Sequence, residues 1–201
     1  MANTRELQSR MKSIKDTMKI TSAMHMIASS NLQKAKKNLE ETEPYFYTLQ
    51  IMIAGILGHM QGGIEHQYFD ERPEIKEADR KKGYIVVTAD KGLAGGYNHN
   101  VIKLAQEFLD KPGHNELFVL GQLGRSYFQK KNVDVDTSFK YTVQKPTMHR
   151  ARVIAEKMLD LFNRKELDEV HIIYTRMENA VEMVAETKQL LPLQSGAFCQ
   201  V

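Results

Sequence analysis

The most constraining feature of this sequence is a heptad pattern in its N-terminal fifth. Apolar or small side chains recur at alternating spacings of four and three residues, as in the seam of a coiled coil. No glycine or proline interrupts the pattern before Pro44. Since Thr4 can cap a helix, the pattern predicts a helix from Thr4 to about Glu41, roughly 55 Å long at 1.5 Å per residue. The seam comprises Leu7, Met11, Ile14, Met18, Thr21, His25, Ala28, Leu32, Ala35 and Leu39.

The same segment carries a second apolar stripe and an unusual charge. Ile20, Met24 and Ile27 form the stripe on a neighbouring face, where the seam is weakest. Core packing is the ordinary explanation for Met and Ile at helical spacing, and contact with a second partner is the alternative. Residues 1–39 contain eight basic and two acidic side chains, whereas the whole chain has a net charge of +3. We therefore expect this segment to face an anionic partner or a surface where carboxylates are unfavourable.

The residue composition and the hydrophobic periodicity of the chain change after Pro44. We expect this proline to interrupt the helix, which then continues in a kinked direction until glycines end it. Beyond a charged connector, short β-branched runs alternate with helical patterns, which is typical of a sheet covered by helices. The predicted fold class is α/β, with a long N-terminal coiled-coil helix and a Rossmann-like domain whose sheet is mostly parallel. The predicted divisions are a helical segment 1–61, a connector 62–82, an α/β domain 83–193 and a tail 194–201.

The domain contains three clear strand patterns, two weaker ones and one conspicuous loop. The loop Asp90–Gly96, DKGLAGG, lies between the first strand and a helix over about 100–110 that Asn98 can cap. A glycine loop can cradle a phosphate, so a nucleotide-binding α/β enzyme is the main alternative function. The residue order matches neither a P-loop nor GxGxxG, and a tight turn with close packing explains the glycines better. The predicted strands lie at 83–90, 116–121 and 169–177, with weaker candidate strands at 133–139 and 185–193.

No other pattern in the sequence indicates catalysis or ligand binding. The seven histidines are scattered without metal-site spacing, and Cys199 has no basic neighbour to activate it. A basic coiled-coil module for nucleic acid is a third hypothesis, but the helix offers few aromatic side chains for stacking on bases. No apolar run reaches the length of a membrane span, and no secretory signal is evident. We expect no catalytic residue, cofactor or metal in this chain, and no nucleic-acid partner.

Several stretches resemble one protein family. RMKSIKDTMKITSAMHMIASSNLQKAK, with its core at Lys19–Met26, resembles the N-terminal helix of the γ subunit of F-type ATP synthase. TADKGLAGGYNHNVI resembles that family's glycine turn, and VLGQLGRSYF its second strand and helix. IIYTRMENAVEMVAETKQLLPL is similar to its last strands. The chain is thus identified as a member of this family, of the bacterial type, over nearly its whole length.

The resemblance implies a rotor subunit of the central stalk. In this family the N-terminal helix pairs with a C-terminal helix as a shaft, which couples proton-driven rotation to ATP synthesis or hydrolysis at the β subunits. The implied partners are the α and β subunits of the catalytic hexamer, the ε subunit and the membrane c-ring, at the cytoplasmic face of the cell membrane. The chain itself is implied to be non-catalytic and peripheral. The implied rotor–stator contacts are Lys19, Ile20, Met24, Met26 and Lys91, beside the coiled-coil seam residues Leu7, Met11, Ile14, Met18 and Leu32.

Two features depart from the family's pattern. Lys91 stands where the family commonly has arginine, so a bidentate grip on a carboxylate becomes a single-point contact. The family also continues into a second shaft helix, and the residues after Leu193 are too few to form it. The heptad seam then lacks its partner within this chain, and we expect the isolated chain to self-associate through the seam.

Overall fold

The chain forms two compact units. The computed structural model describes residues 3–59, 65–136, 140–144, 146–179 and 182–194. The first unit contains one helix, α1 (Thr4–His59), which is 56 residues long and has no buried residue. Its start differs from the prediction: the carbonyl oxygen of Asn3 accepts the amides of Glu6 and Leu7, so Thr4 lies inside the helix and does not cap it.

The helix does not end at Pro44, which lies inside α1. The interruption predicted there is wrong, while the predicted change of direction stays a prediction. A proline removes one amide donor and crowds the preceding turn, but the residues on both sides of Pro44 remain helical. The Thr42 hydroxyl donates to the carbonyl of Asn38 at 2.7 Å and that of Thr48 to the carbonyl of Pro44 at 2.8 Å. One lost bond is therefore a local cost within a helix that is otherwise continuous.

The second unit is an α/β domain built on a four-stranded sheet. The strand order is β2-β1-β3-β4, with β1 parallel to β2 and to β3, and β4 antiparallel to β3. The predicted α/β class and mostly parallel sheet are confirmed. The strands are β1 (Lys81–Val87), β2 (His114–Leu120), β3 (Glu169–Met177) and β4 (Met183–Leu191), and the helices are α2 (Tyr97–Leu109), α3 (Gln122–Lys130) and α4 (Met148–Asn163).

Helices cover both faces of this sheet because successive strand residues point to opposite sides. Tyr84 and Val86 of β1 pack in one core cluster with Val101 and Ala105 of α2 and with Phe128 of α3. The intervening Ile85 joins the opposite cluster, in which Met158 and Phe162 of α4 are buried. Because side chains alternate between the two faces of each strand, the sheet has one hydrophobic core on each face. The weaker strand predicted at 133–139 is reduced to a single bridge between Val135 and Leu117, and residues 137–139 lie outside the described residues.

The predicted connector is held against the domain by charged groups. Arg72 and Asp168 are both buried, and Arg72 Nη1 lies 2.6 Å from Asp168 Oδ1. The Arg72 guanidinium also donates to the carbonyls of Leu167 and Phe162, each at 2.8 Å, and lies over the Phe162 ring. The other Asp168 oxygen accepts the amide of Lys81 at 2.9 Å. This pair therefore joins the connector, the start of β1 and the turn that precedes β3.

The two ends of the domain meet at one point. The amide of Leu193, just after β4, donates to the carbonyl oxygen of Tyr68 in the connector at 2.6 Å. Tyr68 lies in a short 3₁₀ turn, Gln67–Phe69. A second turn of this kind, Glu77–Asp79, leads into β1. The chain thus enters and leaves the domain side by side.

Candidate functional site: the exposed helix and the glycine loop

The heptad seam of α1 is exposed along its whole length. Its apolar side chains are 51–66% exposed, which is far more than a packed coiled-coil seam allows. Their common direction follows from the spacing, since residues three or four apart in a helix share a face. The predicted seam residues are therefore brought together as one open apolar stripe. They are Leu7, Met11, Ile14, Met18 and Leu32, followed by Leu39.

The predicted contact residues of α1 do not share that stripe or a single face of their own. At about 100° per residue, Ile20 lies roughly 135° and Met24 roughly 95° around the helix from the centre of the seam, both on the same side of it. The second stripe therefore lies to one side of the seam, and its contact with a second partner stays a prediction. Met26 lies on a third face, about 105° from the seam. All three are exposed, and α1 can therefore contact different partners on different sides.

The basic side chains of α1 are mostly free of internal partners. Three of the eight form exposed pairs with acids on the same helix, and Lys19 is one of these, with its Nζ 3.7 Å from Asp16 Oδ1. Such exposed pairs are weak. Within residues 3–59, the other five have no ion-pair partner, so their charge is available to a partner molecule. These five are Arg5, Lys12, Lys15, Lys34 and Lys36.

The glycine loop of the domain is fixed at both ends by side chains. Asp90 accepts the Gln122 amide through Oδ1 at 3.1 Å, and the Val143 and Gln144 amides through Oδ2 at 3.0 and 3.2 Å. At the other end, Asn98 Oδ1 accepts the amide of Ala89 at 2.8 Å. The predicted cap role of Asn98 is wrong, because α2 begins at Tyr97 after Gly96. Asn98 closes the base of the loop instead.

This arrangement does not favour the nucleotide-binding alternative. The carboxylate of Asp90, at the start of the loop, accepts the first amide of α3, at Gln122, and so places a negative charge beside the loop that would have to cradle a phosphate. A negative group already bound there repels a second anion. Two nearby glycines serve packing: a Cβ at Gly121 would lie 2.1 Å from the carbonyl oxygen of Thr88, and one at Gly124 would lie 2.6 Å from its side chain.

The tip of the loop is open to solvent, contrary to the predicted close packing. A Cβ at Gly92 or Gly95 would meet no atom within 4 Å, and only Gly95 has a positive φ, of 56°. Lys91 is exposed, and we find no ion-pair partner for it among the described residues. Leu93 is 89% exposed, the highest value among the large apolar side chains described, and has a φ of 66°. Sequence reasoning missed Leu93, because its exposure and its positive φ depend on how the loop folds.

The described residues contain no group of three or more His, Cys, Asp or Glu side chains that could hold a metal ion. None of the described helices is long and apolar enough to cross a membrane.

Comparison with known proteins gives consistent relatives. The model of a protein family described as ATP synthase matches residues 3–198. The ATP synthase gamma chain of Ruminiclostridium cellulolyticum is 47% identical over 197 residues, which cover 98% of this chain and 66% of that protein. The ATP synthase gamma chain of Acetivibrio thermocellus is 45% identical over 194 residues, covering 96% of this chain and 65% of that protein. This chain therefore spans just under two thirds of the length of these relatives.

A solved structure has the same fold. A chain in a cryo-EM structure of the central stalk and c-ring of the Tetrahymena thermophila mitochondrial ATP synthase superposes with a TM-score of 0.62. The match covers 86% of this chain and 72% of that chain at 22% sequence identity. At this identity the likeness concerns the fold alone.

Proposed function

This chain belongs to the ATP synthase γ-chain family, and from that premise we propose that it is the central-stalk rotor subunit of an F-type, proton-translocating ATP synthase. It couples proton-driven rotation to ATP synthesis or hydrolysis at the β subunits. The observation that carries the proposal is α1, a continuous helix of 56 residues with no buried side chain. A helix of this length draws most of its stability in a folded protein from packing an apolar face, and the exposed seam supplies that face.

The seam is the surface on which a second shaft helix packs. A leucine, methionine or isoleucine side chain contributes about 1.5–3 kcal/mol when it is fully buried. The five seam residues named above therefore offer enough apolar area to hold two helices together. A paired shaft resists twisting better than a single helix, because side chains of the two helices interlock along the seam. That property is what a rotor needs to transmit torque.

The remaining faces of α1 suit a contact that turns. Ile20, Met24 and Met26 are exposed and present flexible or compact apolar side chains without a rigid pocket. A surface of this kind allows weak contact at many angles, whereas a deeply complementary surface favours one angle. Lys19 adds a cation whose own pair with Asp16 is exposed and therefore weak. We assign these four residues to rotor–stator contact on α1.

Lys91 is the proposed contact residue of the domain. Its ammonium group is exposed at the glycine loop, next to a carboxylate, that of Asp90, whose two oxygens already accept three amides. The lysine is thus free to bind a carboxylate of a β subunit. Because an exposed ion pair is worth about 0.2–1 kcal/mol, the contact forms and breaks readily during rotation.

The chain acts as a non-catalytic part of a larger enzyme. Its partners are the α and β subunits, which carry nucleotide, the ε subunit and the membrane c-ring, and the complex sits peripherally at the cytoplasmic face of the cell membrane. The rival function, nucleotide binding by Asp90–Gly96, is disfavoured by the position of the Asp90 carboxylate. Calorimetric titration of the chain with Mg-ATP should accordingly detect no saturable binding.

The test is to purify the complex from cells through a tag on this chain. We expect α, β and ε subunits to co-purify and membrane vesicles to make ATP. Met18→Asp should sharply lower recovery of the assembled complex, because it places a charge in the seam. Ser9→Asp, at an exposed position of α1 nearly opposite the seam and about three turns before Lys19, is the matched control and should assemble normally. Purification of the tagged chain without α and β subunits would refute the proposal.

A further inference from the structure

The last strand of the sheet has one unpaired edge. In the order β2-β1-β3-β4, β4 pairs with β3, and no strand of the described residues lies against its other side. Such an edge presents amides and carbonyls that can pair with another chain, unless charges or bulges prevent it. The register of β4 shifts only beside Val170 and His171, which leaves the earlier part of the strand regular and open to a second strand.

The backbone groups of β4 that point away from β3 follow from the hairpin. The amide of Glu178 donates to the carbonyl of Glu182 at 3.1 Å, which makes these two residues a hydrogen-bonded pair. Such pairs alternate with non-hydrogen-bonded pairs along antiparallel strands. In the observed register, the residues of β4 that bond β3 are therefore Val184, Glu186 and Lys188. The residues whose amides and carbonyls point outward are Ala185, Thr187 and Gln189.

The side chains of β4 form a pattern that is complementary to itself. Thr187 is its centre, Glu186 and Lys188 flank it, and Val184 and Leu190 lie three residues away on either side. Val184 and Leu190 are 38% and 37% exposed. Lys188 is exposed and forms no salt bridge with a described residue. If a copy of this strand runs antiparallel to it about Thr187, each charge faces an opposite charge and each apolar residue faces the other.

Charge favours this register over the neighbouring ones. Centring the pair on Thr187 places Glu186 opposite Lys188 of the copy in non-hydrogen-bonded pairs, where side chains are closest. A centre at Glu186 places two glutamates opposite each other and a centre at Lys188 two lysines, which is destabilising. The Glu186 carboxylate is already held in position by the Tyr174 hydroxyl and by Arg176 Nε, which lies 2.9 Å from Oε2.

The helices of the domain leave room for such a pair. Helix α2 packs against β1, β3 and β4, so it is centred over β3. Three strand spacings of about 4.8 Å separate β3 from its copy, which gives roughly 14 Å. Packed helices lie about 8–10 Å apart, and the two α2 helices therefore fit side by side on one face of the joined sheet.

We propose that β4 is an interaction surface for a second copy of this chain, whose own β4 adds antiparallel about Thr187 and joins the two sheets into one. The contact involves one strand from each copy, so it belongs to the small, weak class of interfaces. We expect a dissociation constant on the order of 100 µM. The inference concerns the chain outside the complex and does not rest on the proposed function.

The test exchanges charges between two variants of the full chain, both made in a parent chain that carries Met18→Asp to weaken the seam. Lys188→Glu places glutamates opposite each other across the dimer, and Glu186→Lys places lysines there. Each variant alone should dimerise about tenfold or more weakly than the parent, because attractive pairs become repulsive. An equal mixture restores both Glu–Lys pairs and should form a heterodimer with about the affinity of the parent dimer.

The measurement is sedimentation equilibrium from about 10 to 500 µM, a range that brackets the expected dissociation constant. Native mass spectrometry of the mixture identifies the heterodimer by its mass. Lys130→Glu is the matched control, since it reverses an exposed charge at the end of α3. Helix α3 packs against β2, at the opposite edge of the sheet, and this variant should dimerise like the parent.

Three outcomes would each overturn the proposal. The parent chain could remain monomeric over the whole range, Lys188→Glu could dimerise as strongly as Lys130→Glu, or the mixture could give no heterodimer although both variants melt at the parent's temperature. If Glu186→Lys lowers the melting temperature, because Tyr174 and Arg176 lose their acceptor, the comparison of Lys188→Glu with Lys130→Glu decides alone.

Discussion

Replacing Asp168 with alanine should destabilise the domain by about 3–5 kcal/mol, because it leaves a buried guanidinium without its counter-charge. The side chains of Arg72 and Asp168 are each only 5% exposed, so solvent cannot replace the lost partner. The substitution also removes the acceptor of the Lys81 amide, a further loss of about 0.5–1.5 kcal/mol. The carbonyls of Leu167 and Phe162 still accept from Arg72, which keeps the expected loss inside this range.

An exposed pair in the same domain provides the control. Arg164 Nε lies 3.0 Å from Asp160 Oδ1 on the surface of α4, and Asp160→Ala should cost at most about 1 kcal/mol. A double variant, Arg72→Met with Asp168→Leu, should recover most of the stability lost in Asp168→Ala, since no unpaired charge remains buried. The ion pair would then hold the connector in place without adding net stability over an apolar pair.

The assay is urea unfolding followed by the near-ultraviolet circular dichroism of tyrosine, with hydrogen exchange of the β1 and β3 amides as the local measure. These amides report on the domain independently of α1. A loss below about 1 kcal/mol for Asp168→Ala, equal to that for Asp160→Ala, would refute the reasoning. A double variant that is no more stable than Asp168→Ala would also refute it, because removal of the buried guanidinium should relieve the unpaired charge.

Three further predictions concern pH, the seam and Lys91. The hydrogen bond from His171 lowers the pKa of Glu169 below its usual 4.5. The ionised Glu169 therefore stabilises the folded domain above that pH, and this contribution to folding stability is lost as pH falls through the lowered pKa. Urea midpoints should therefore drop below about pH 4.5, and Glu169→Gln should flatten that drop. The isolated chain should self-associate in sedimentation experiments at low micromolar concentration, and Met18→Asp should reduce that self-association. If the Met18→Asp variant still forms a dimer there, the seam is not the dimer interface. Lys91→Glu should leave the melting temperature of the domain unchanged. It should lower coupled ATP synthesis, and the salt dependence of that synthesis, more than Lys91→Ala does. Unfolding of the domain, or unchanged synthesis, would contradict the proposed contact of Lys91 with a β-subunit carboxylate.

The sequence predicted those parts of the structure that rest on local periodicity. The seam of α1 was readable because residues 4–41 contain no competing signal, and alternation in the β-branched runs placed the strands within a few residues. The helix extended past Pro44 because one missing amide bond does not outweigh intact turns on both sides. In each case the pattern involves residues close together in the chain, where spacing alone determines which side chains share a face.

The features that escaped prediction depend on distant contacts or on backbone angles. Asn98 looked like a helix cap, because both a cap and a loop staple need a short side chain with an acceptor oxygen. Arg72 and Asp168 are 96 residues apart, and nothing local to either residue specifies their pairing. Leu93 stood in a recognised motif, but its exposure and positive φ exist only in three dimensions. The sequence therefore located the loop without revealing which residue it displays.

The hydrogen bond between Leu193 and Tyr68 has a consequence for modularity. The first and last segments of the domain are joined by one hydrogen bond, so its two ends lie next to each other. Domains with adjacent ends are readily inserted into or exchanged between chains. Residues 65–194 should be exchangeable between relatives as a single cassette, with both junctions cut at neighbouring points. Evolution can likewise lengthen, shorten or replace this cassette while leaving the heptad register of α1 untouched.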